Sequence, residues 1–572
     1  MVRRLLAFSL PLVGLVAASA CGSAAKNDSS FNDSGGSAGA AGFGAQGGVS
    51  ASGGANSNVV GGGGKGTGAS AGSGSSGDPN TCEGAAALKS YVGCDYWPTV
   101  VANNVWSIFD YAVIVANAGS DPATVTVTRA GAKIGTTTVA ANGLTKVYLP
   151  WVPELKGPDT DAMGSAMPLT QTVGVLGGAY HLVSDRPVTV YQFNALEYKG
   201  EGGTAGKNWS SCPGNGLGGI GCFSYSNDAS LLLPSTAMTG NYRVAGNHGW
   251  VFPIPSGGVT GLGPYFAVTG TQDGTTVKVK LSATAKVLAG AGIGNLGAGQ
   301  IASFTLNAGD VIEIVGPPSS DFSGSQVQAD KPVQVISGMP CDDVPEGAPA
   351  CDHIEETVFP AETMGKHYIF AAPTGPNGNA PGAVVRLVGN VDGTQLTYGK
   401  GAPGGAAKTI NAGQVVDLGQ AAGEFEITGD HEFEVVVLML GGSVQDPHGM
   451  GSPVPSKGDP SLSFTTAVEQ YRTKYVFLAP DDYDVSYADI IVPMGASVTL
   501  DGAPLQAAPK AIGTSGFGIA RQLLGPGKGG AHVLESSLPV GLQVMGYGSY
   551  TSYQYPGGLN LIAIAPPPPP LG

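Results

Sequence analysis

The run from Cys341 to Glu356, CDDVPEGAPACDHIEE, gathers seven side chains able to hold a cation or move a proton: Asp342, Asp343, Glu346, Asp352, His353, Glu355 and Glu356. A hard cation such as Ca2+ seeks about six to eight oxygen ligands, so Asp352, His353 and Glu356 are the candidate metal residues and Ca2+ the candidate ion. The spacing fits no EF-hand loop, and the expectation is a solvated acidic loop with His353 and Glu356 in a structural role. No other cofactor is expected. His431 and Glu432 open a zinc-protease pattern, but HExxH needs its second histidine where this chain has Val435. Asp446-Pro447-His448 offers an acid/base pair with no nucleophile motif beside it. No catalytic residue is assigned, and the chain is expected not to be an enzyme.

All five tryptophans precede residue 251, and Trp209 lies in the loop GEGGTAGKNWSSCPGNGLGG, where little core is available. Exposed aromatic rings anchor protein and sugar ligands, which makes Trp209 the candidate ligand-binding residue. Core packing is expected for most of the others.

These groups need elements to hold them, and those elements begin after a distinctive leader. Arg3 and Arg4 precede an apolar run from Leu5 to Ala17, then Ala18-Ser19-Ala20-Cys21 and a long Gly/Ser/Ala tract. The pattern is that of an export signal over 1–20, too short for a membrane span. Ala18-Ser19-Ala20 also fits an ordinary cleavage site, and cysteine parity favours lipidation. Of seven cysteines, setting Cys21 aside leaves three close pairs: Cys82 and Cys94, Cys212 and Cys222, Cys341 and Cys351. An even remainder in an exported protein points to disulfides, with Cys21 acylated. Each pair would close a short local loop worth about 2–3 kcal/mol, although six cysteines allow about 15 connectivities. Residues 21–80 then form a disordered Gly/Ser-rich tether reaching roughly 40–45 Å. Gly22 after the cysteine resembles the outer-membrane-sorted lipoproteins of Gram-negative bacteria, which implies lipid anchoring on the extracellular side of the envelope.

The remaining chain is long enough for several domains. Gly numbers 93 and charged residues make up 12%, a profile of short strands and many turns. The net charge of −15 argues against a nucleic-acid partner, since phosphate binding rests on Lys and Arg.

Self-similarity sets the architecture. YIFAAP from Tyr368 and YVFLAP from Tyr475 stand 107 residues apart, and Asp430 and Ser537 lie 62 residues after those tyrosines. Asp185 in SDRPVTVYQF and Asp330 in ADKPVQVISG mark two looser copies of the same turn before an alternating run. Asp273-Gly274 and Asp392-Gly393 read as hairpin turns. A period near 100 residues holds a sandwich, so the expectation is all-β: tandem β-sandwich-like modules over 81–231, 232–357, 358–463 and 464–565. Residues 566–572 form a polyproline tail, expected to be a disordered end, with a spacer or a protein ligand as alternatives.

The run CDHIEETVFPAETMGKHYIFAAPTG from Cys351, together with the two Asp-x-Pro-Val segments and LLLPSTAMTGNYRV from Leu231, resembles the IgGFc-binding protein N-terminal domain family. The resemblance spans roughly residues 90 to 555 and implies an extracellular, non-enzymatic β-rich domain for binding or adhesion. The expected partners are a membrane, through the lipid, and a surface glycan or protein ligand reached by loops at one end of the modules. A structural envelope component and a secreted hydrolase are the two alternatives. The hydrolase would show paired carboxylates at strand ends in a cleft.

Overall fold

A computed structural model describes residues 79–571 except 162–164, 217–220, 254–258, 349, 449–453 and 526–529. The leader, Cys21 and the tether lie outside the described residues. The chain is β-rich, as its turn-dense composition requires, and among the described residues helix is confined to short pieces such as Cys82–Leu88 and Pro153–Lys156. Among the described residues no helix is long and apolar enough to cross a membrane.

The Asp-x-Pro-Val turns explain the sheets. In the strand Tyr180–Asn194, residues before the Asp185 turn pair with Ala123–Arg129, and residues after it pair with Tyr111–Asn117. One strand thereby serves two sheet halves, making the corner of a sandwich. Phe425–Met439 and Ala531–Gly548 do the same around Asp430 and Ser537. In the second copy the strand breaks at the turn into Gln326–Ala329 and Val333–Asp342. At all four turns the same bond recurs: Asp185 Oδ1 accepts from Thr124 N, Asp330 Oδ1 from Thr276 N, Asp430 Oδ1 from Gln395 N, and Ser537 Oγ from Ser497 N. A buried tyrosine then locks each corner. The hydroxyls of Tyr96, Tyr242, Tyr368 and Tyr475 donate to the carbonyls of Val188, Val333, Phe433 and Val540, each three residues past its turn. Three of these hydroxyls also accept a backbone N–H, from Thr239, Gly365 and Arg472.

Removing one such hydroxyl strands a buried carbonyl and an amide. Tyr368→Phe and Tyr475→Phe are each expected to lower unfolding free energy by about 1–3 kcal/mol in urea denaturation. A loss below about 0.5 kcal/mol in both would show that the lock holds nothing.

The copies share a core. One continuous apolar cluster runs through Val115, Val268, Val436 and Val544, and a second lies inside the third copy around Tyr368, Leu387 and Val435. Phe425–Met439 divides these two by its period of two, with Phe433, Val435 and Val437 facing one cluster and Val436 and Leu438 the other. One strand pair crosses between copies, Val173–Val175 with Val311–Val315.

All three cysteine pairs form disulfides between near neighbours, Cys82–Cys94, Cys212–Cys222 and Cys341–Cys351. The proline tail departs from the free end expected. Ala565, Pro568 and Leu571 are buried while the residues between them are exposed, which is the three-residue period of a polyproline II helix lying on a surface. Gln326 Nε2 donates to the Pro569 carbonyl, and Gln328 Oε1 accepts from Leu571 N. A segment without internal hydrogen bonds offers its carbonyls to any neighbour with side-chain donors, and the second copy provides them.

Candidate functional site

Where the four copies meet, polar side chains are buried together. Asp228 follows the first copy's corner and is fully enclosed. Its carboxylate accepts from the amides of Ala229, Glu355, Leu462 and Gln554 and from the Ser461 hydroxyl, at 2.8–3.2 Å. Burial raises its pKa, and those donors pull it back. One side chain thus ties the second, third and fourth copies to the end of the first. Beside it, Glu355 accepts from Gln192 Nε2, Asn194 Nδ2 and Ser230 Oγ.

The acidic run differs from the solvated loop expected. Asp342, Asp352, His353, Glu355 and Glu356 are all buried, and Glu346 is exposed. The reason is the strand Asp352–Thr357, which pairs with Val333–Asp342 inside the shared core. Its alternation separates the candidate metal residues, sending Asp352 and Glu356 to one face and His353 to the other with Glu355. Asp352 Oδ1 accepts from Asn227 N and His353 N, and its Oδ2 from Thr551 Oγ1. Glu356 Oε1 accepts from Leu231 N and Thr357 N. His353 Nε2 lies 3.4 Å from Glu355 Oε2. Burial raises the pKa of Asp352 and Glu356, with the charges of Asp459 and Asp228 adding to the effect at Asp352. These residues join the copies to one another.

The open chemistry lies nearby, in a cleft of about 260 Å3 lined by Lys146, Glu197, Tyr198, Glu201, Asp481 and Asp482 among others. Lys146, on the strand Gly143–Leu149, places its ammonium 2.6 Å from both Asp481 Oδ1 and Asp482 Oδ2. Burial lowers the Lys146 pKa, but the two aspartates outweigh it and raise it. Lys199 pairs with Glu201 at the rim, 2.6 Å apart. Glu197 sits at the floor, 2% exposed. Its Oε2 accepts from Asp110 N at 2.8 Å, and its Oε1 lies against the Asp110 carboxyl, with which the protonated side chain shares a hydrogen bond. Burial, then the Asp110 charge, push Glu197 up to about 8, so its carboxyl is largely protonated at neutral pH. Asp110 itself holds the Lys207 ammonium at 2.5 Å.

An aromatic ladder fixes this cleft to the core. Tyr198 stacks on Tyr483, Tyr483 meets Tyr553 edge-on, and Tyr553 meets Phe193. Trp209 supports the rim. It is half-buried, its ring lies 5.2 Å from Phe109, the Lys207 ammonium stands 4.7 Å above it, and its Nε1 donates to the Gly202 carbonyl. Trp97, Trp106 and Trp250 are core residues. The loop closes on the disulfide Cys212–Cys222, with Gly200 N donating to the Cys222 carbonyl.

Sequence reading singled out Trp209 and missed the cleft. Lys146, Glu197 and Asp481 lie far apart in the chain, and only the doublets Asp481-Asp482 and Gly202-Gly203 marked their loops. Gly203 has φ +77, and a Cβ there would stand 2.5 Å from Glu197 Oε1 and 2.9 Å from Asp110 Oδ2. The two carboxyls therefore lie side by side against one glycine. Two-carboxylate glycoside hydrolysis places its pair across the scissile bond, roughly 5–9.5 Å apart, which is a different arrangement.

A family model described as IgGFc binding protein matches residues 228–546, more than half of the chain. Its first matched residue is Asp228. The chain is also similar to the IgGFc-binding protein of Homo sapiens, 31% identical over 119 residues. That alignment takes in 19% of this chain and 2% of the human protein.

Proposed function

The chain belongs to the IgGFc-binding protein family, and from that premise we propose that it is a non-enzymatic binding protein of the cell surface that acts in adhesion. The observation that carries this reading is the family match over residues 228–546. Its disulfides fit an oxidising, extracellular setting. The anchor in this reading is lipid on Cys21, with the Gly/Ser-rich tract holding the β-rich body clear of the outer membrane. Loops carried on the sandwich corners engage a protein or a surface glycan.

Two measurements test it. Cells making the full chain are labelled with radioactive palmitate. Wild type is expected to carry label and to remain with the membrane, and Cys21→Ser to lose label and enter the medium; an unlabelled wild type removes the anchor from the reading. The purified protein is then titrated against immobilised immunoglobulin G Fc and against whole cells. Saturable binding to either supports the binding role. Linear, unsaturated retention on both would favour a structural envelope component.

A further inference from the structure

We propose that the cleft around Lys146, Glu197, Asp481 and Asp482 is a binding site for an uncharged, polyhydroxylated ligand, a neutral saccharide. This rests on the binding reading above and gives it a location and a ligand class.

Three observations point the same way. The cleft of about 260 Å3 approaches the lower end, near 300 Å3, of small-molecule sites. Its two ammonium groups are already paired, Lys146 with Asp481 and Asp482 and Lys199 with Glu201, which leaves one carboxylate charge in excess. An anionic ligand meets that excess and gains only by breaking such pairs. A hydroxyl adds to them, because it donates to a carboxylate that already accepts and accepts from an ammonium that has protons left. The third observation is Glu197 at the floor, buried, its carboxyl paired with that of Asp110. The shared proton satisfies one oxygen of each carboxyl, and a ligand hydroxyl that reaches the pair adds a bond to the lone pairs that remain. A neutral carboxyl can meet such a hydroxyl as donor or acceptor, whereas a carboxylate can only accept.

The preformed pairs also explain the loop chemistry. Gly202 and Gly203 both have positive φ, and the second leaves room for Glu197 and Asp110 where any side chain would collide. Trp209 ties the Gly202 carbonyl, and the disulfide ties the far end. The loop is held open by the fold.

The test is binding of the full chain to an array of neutral, acidic and amino oligosaccharides, followed by titration calorimetry with the best neutral binder. Neutral saccharides are expected to bind saturably. Asp481→Ala, at a side chain 57% exposed, and Lys146→Met should each weaken binding by about tenfold or more while circular dichroism stays unchanged. Affinity should also fall as pH rises through about 8, where Glu197 loses its proton. The proposal is overturned if no neutral saccharide binds, if acidic or amino sugars bind in its place, or if both variants bind as wild type does. Binding of Fc or of cells that survives Asp481→Ala would leave the general reading standing whichever way the cleft falls.

Discussion

Asp228→Ala is expected to abolish cooperative folding of the β-rich body, or to lower its stability by more than about 5 kcal/mol. The substitution leaves four backbone amides and one hydroxyl without their acceptor, in a place that water does not reach. Each unmade bond costs about 1–3 kcal/mol, and the sum approaches the whole net stability of a typical domain, about 5–15 kcal/mol. The donors come from residues 229, 355, 461, 462 and 554, so the loss falls on the junction of the copies and not on one sandwich. Limited proteolysis should therefore release fragments cut between copies. Ser461→Ala, which removes one donor and keeps the carboxyl, should cost only about 1 kcal/mol. An Asp228→Ala protein within about 1 kcal/mol of wild type would show that the junction is held by apolar packing alone.

A thermal midpoint that falls as pH rises from about 5 to 8.5 is the second expectation. Burial pushes Glu313 and Glu434 each to about 8 and Asp342 to about 7, the last against the opposing pull of Asn247, His248 and Arg386. Their folded pKa values lie above the unfolded ones, near 4. Below the unfolded values both states hold the proton and nothing is lost. Between about 4 and 8 the unfolded chain gives up protons that the folded chain keeps, and stability declines across that window. Each group is then worth a few kcal/mol at its upper end. Glu434 offers the sharpest variant, because neither of its oxygens has a hydrogen-bond partner among the described residues. Glu434→Gln keeps the shape, carries no ionisable proton, and should flatten the slope and stabilise the protein at pH 8.5 relative to wild type. A midpoint that rises with pH over this range would mean that these carboxyls are ionised and paired in the fold.

The four-copy pattern was legible because local geometry repeats it. Asp185, Asp330, Asp430 and Ser537 stand out in the sequence as turn residues, and each makes the same bond to a neighbouring strand. The tyrosines Tyr368 and Tyr475 stood out for the same reason, although their role as corner locks became visible only with the carbonyls they reach 65 residues later. The acidic run Cys341 to Glu356 misled in one respect. Its charge density reads as solvent-facing, since carboxylates are rarely buried unless paired, and no local signal announces that donors from Asn227, Leu231 and Thr551 will close over it.

By itself the sequence determined what short-range chemistry controls: a β-rich chain of recurring hairpins and Asp-x-Pro-Val corners, three close cysteine pairs, and membership of a binding family. Turns, period-two alternation and cysteine spacing act over a few residues, so they can be read from order alone. Only the tertiary structure decided which residues meet at long range. It set Asp228 among donors from three later segments, joined Lys146 to Asp481 and Asp482 across more than 330 residues, laid the proline tail on the second copy, and buried carboxyls that composition would have left in water. Those outcomes depend on how separately formed sheets pack, and packing compares surfaces that no stretch of sequence contains on its own.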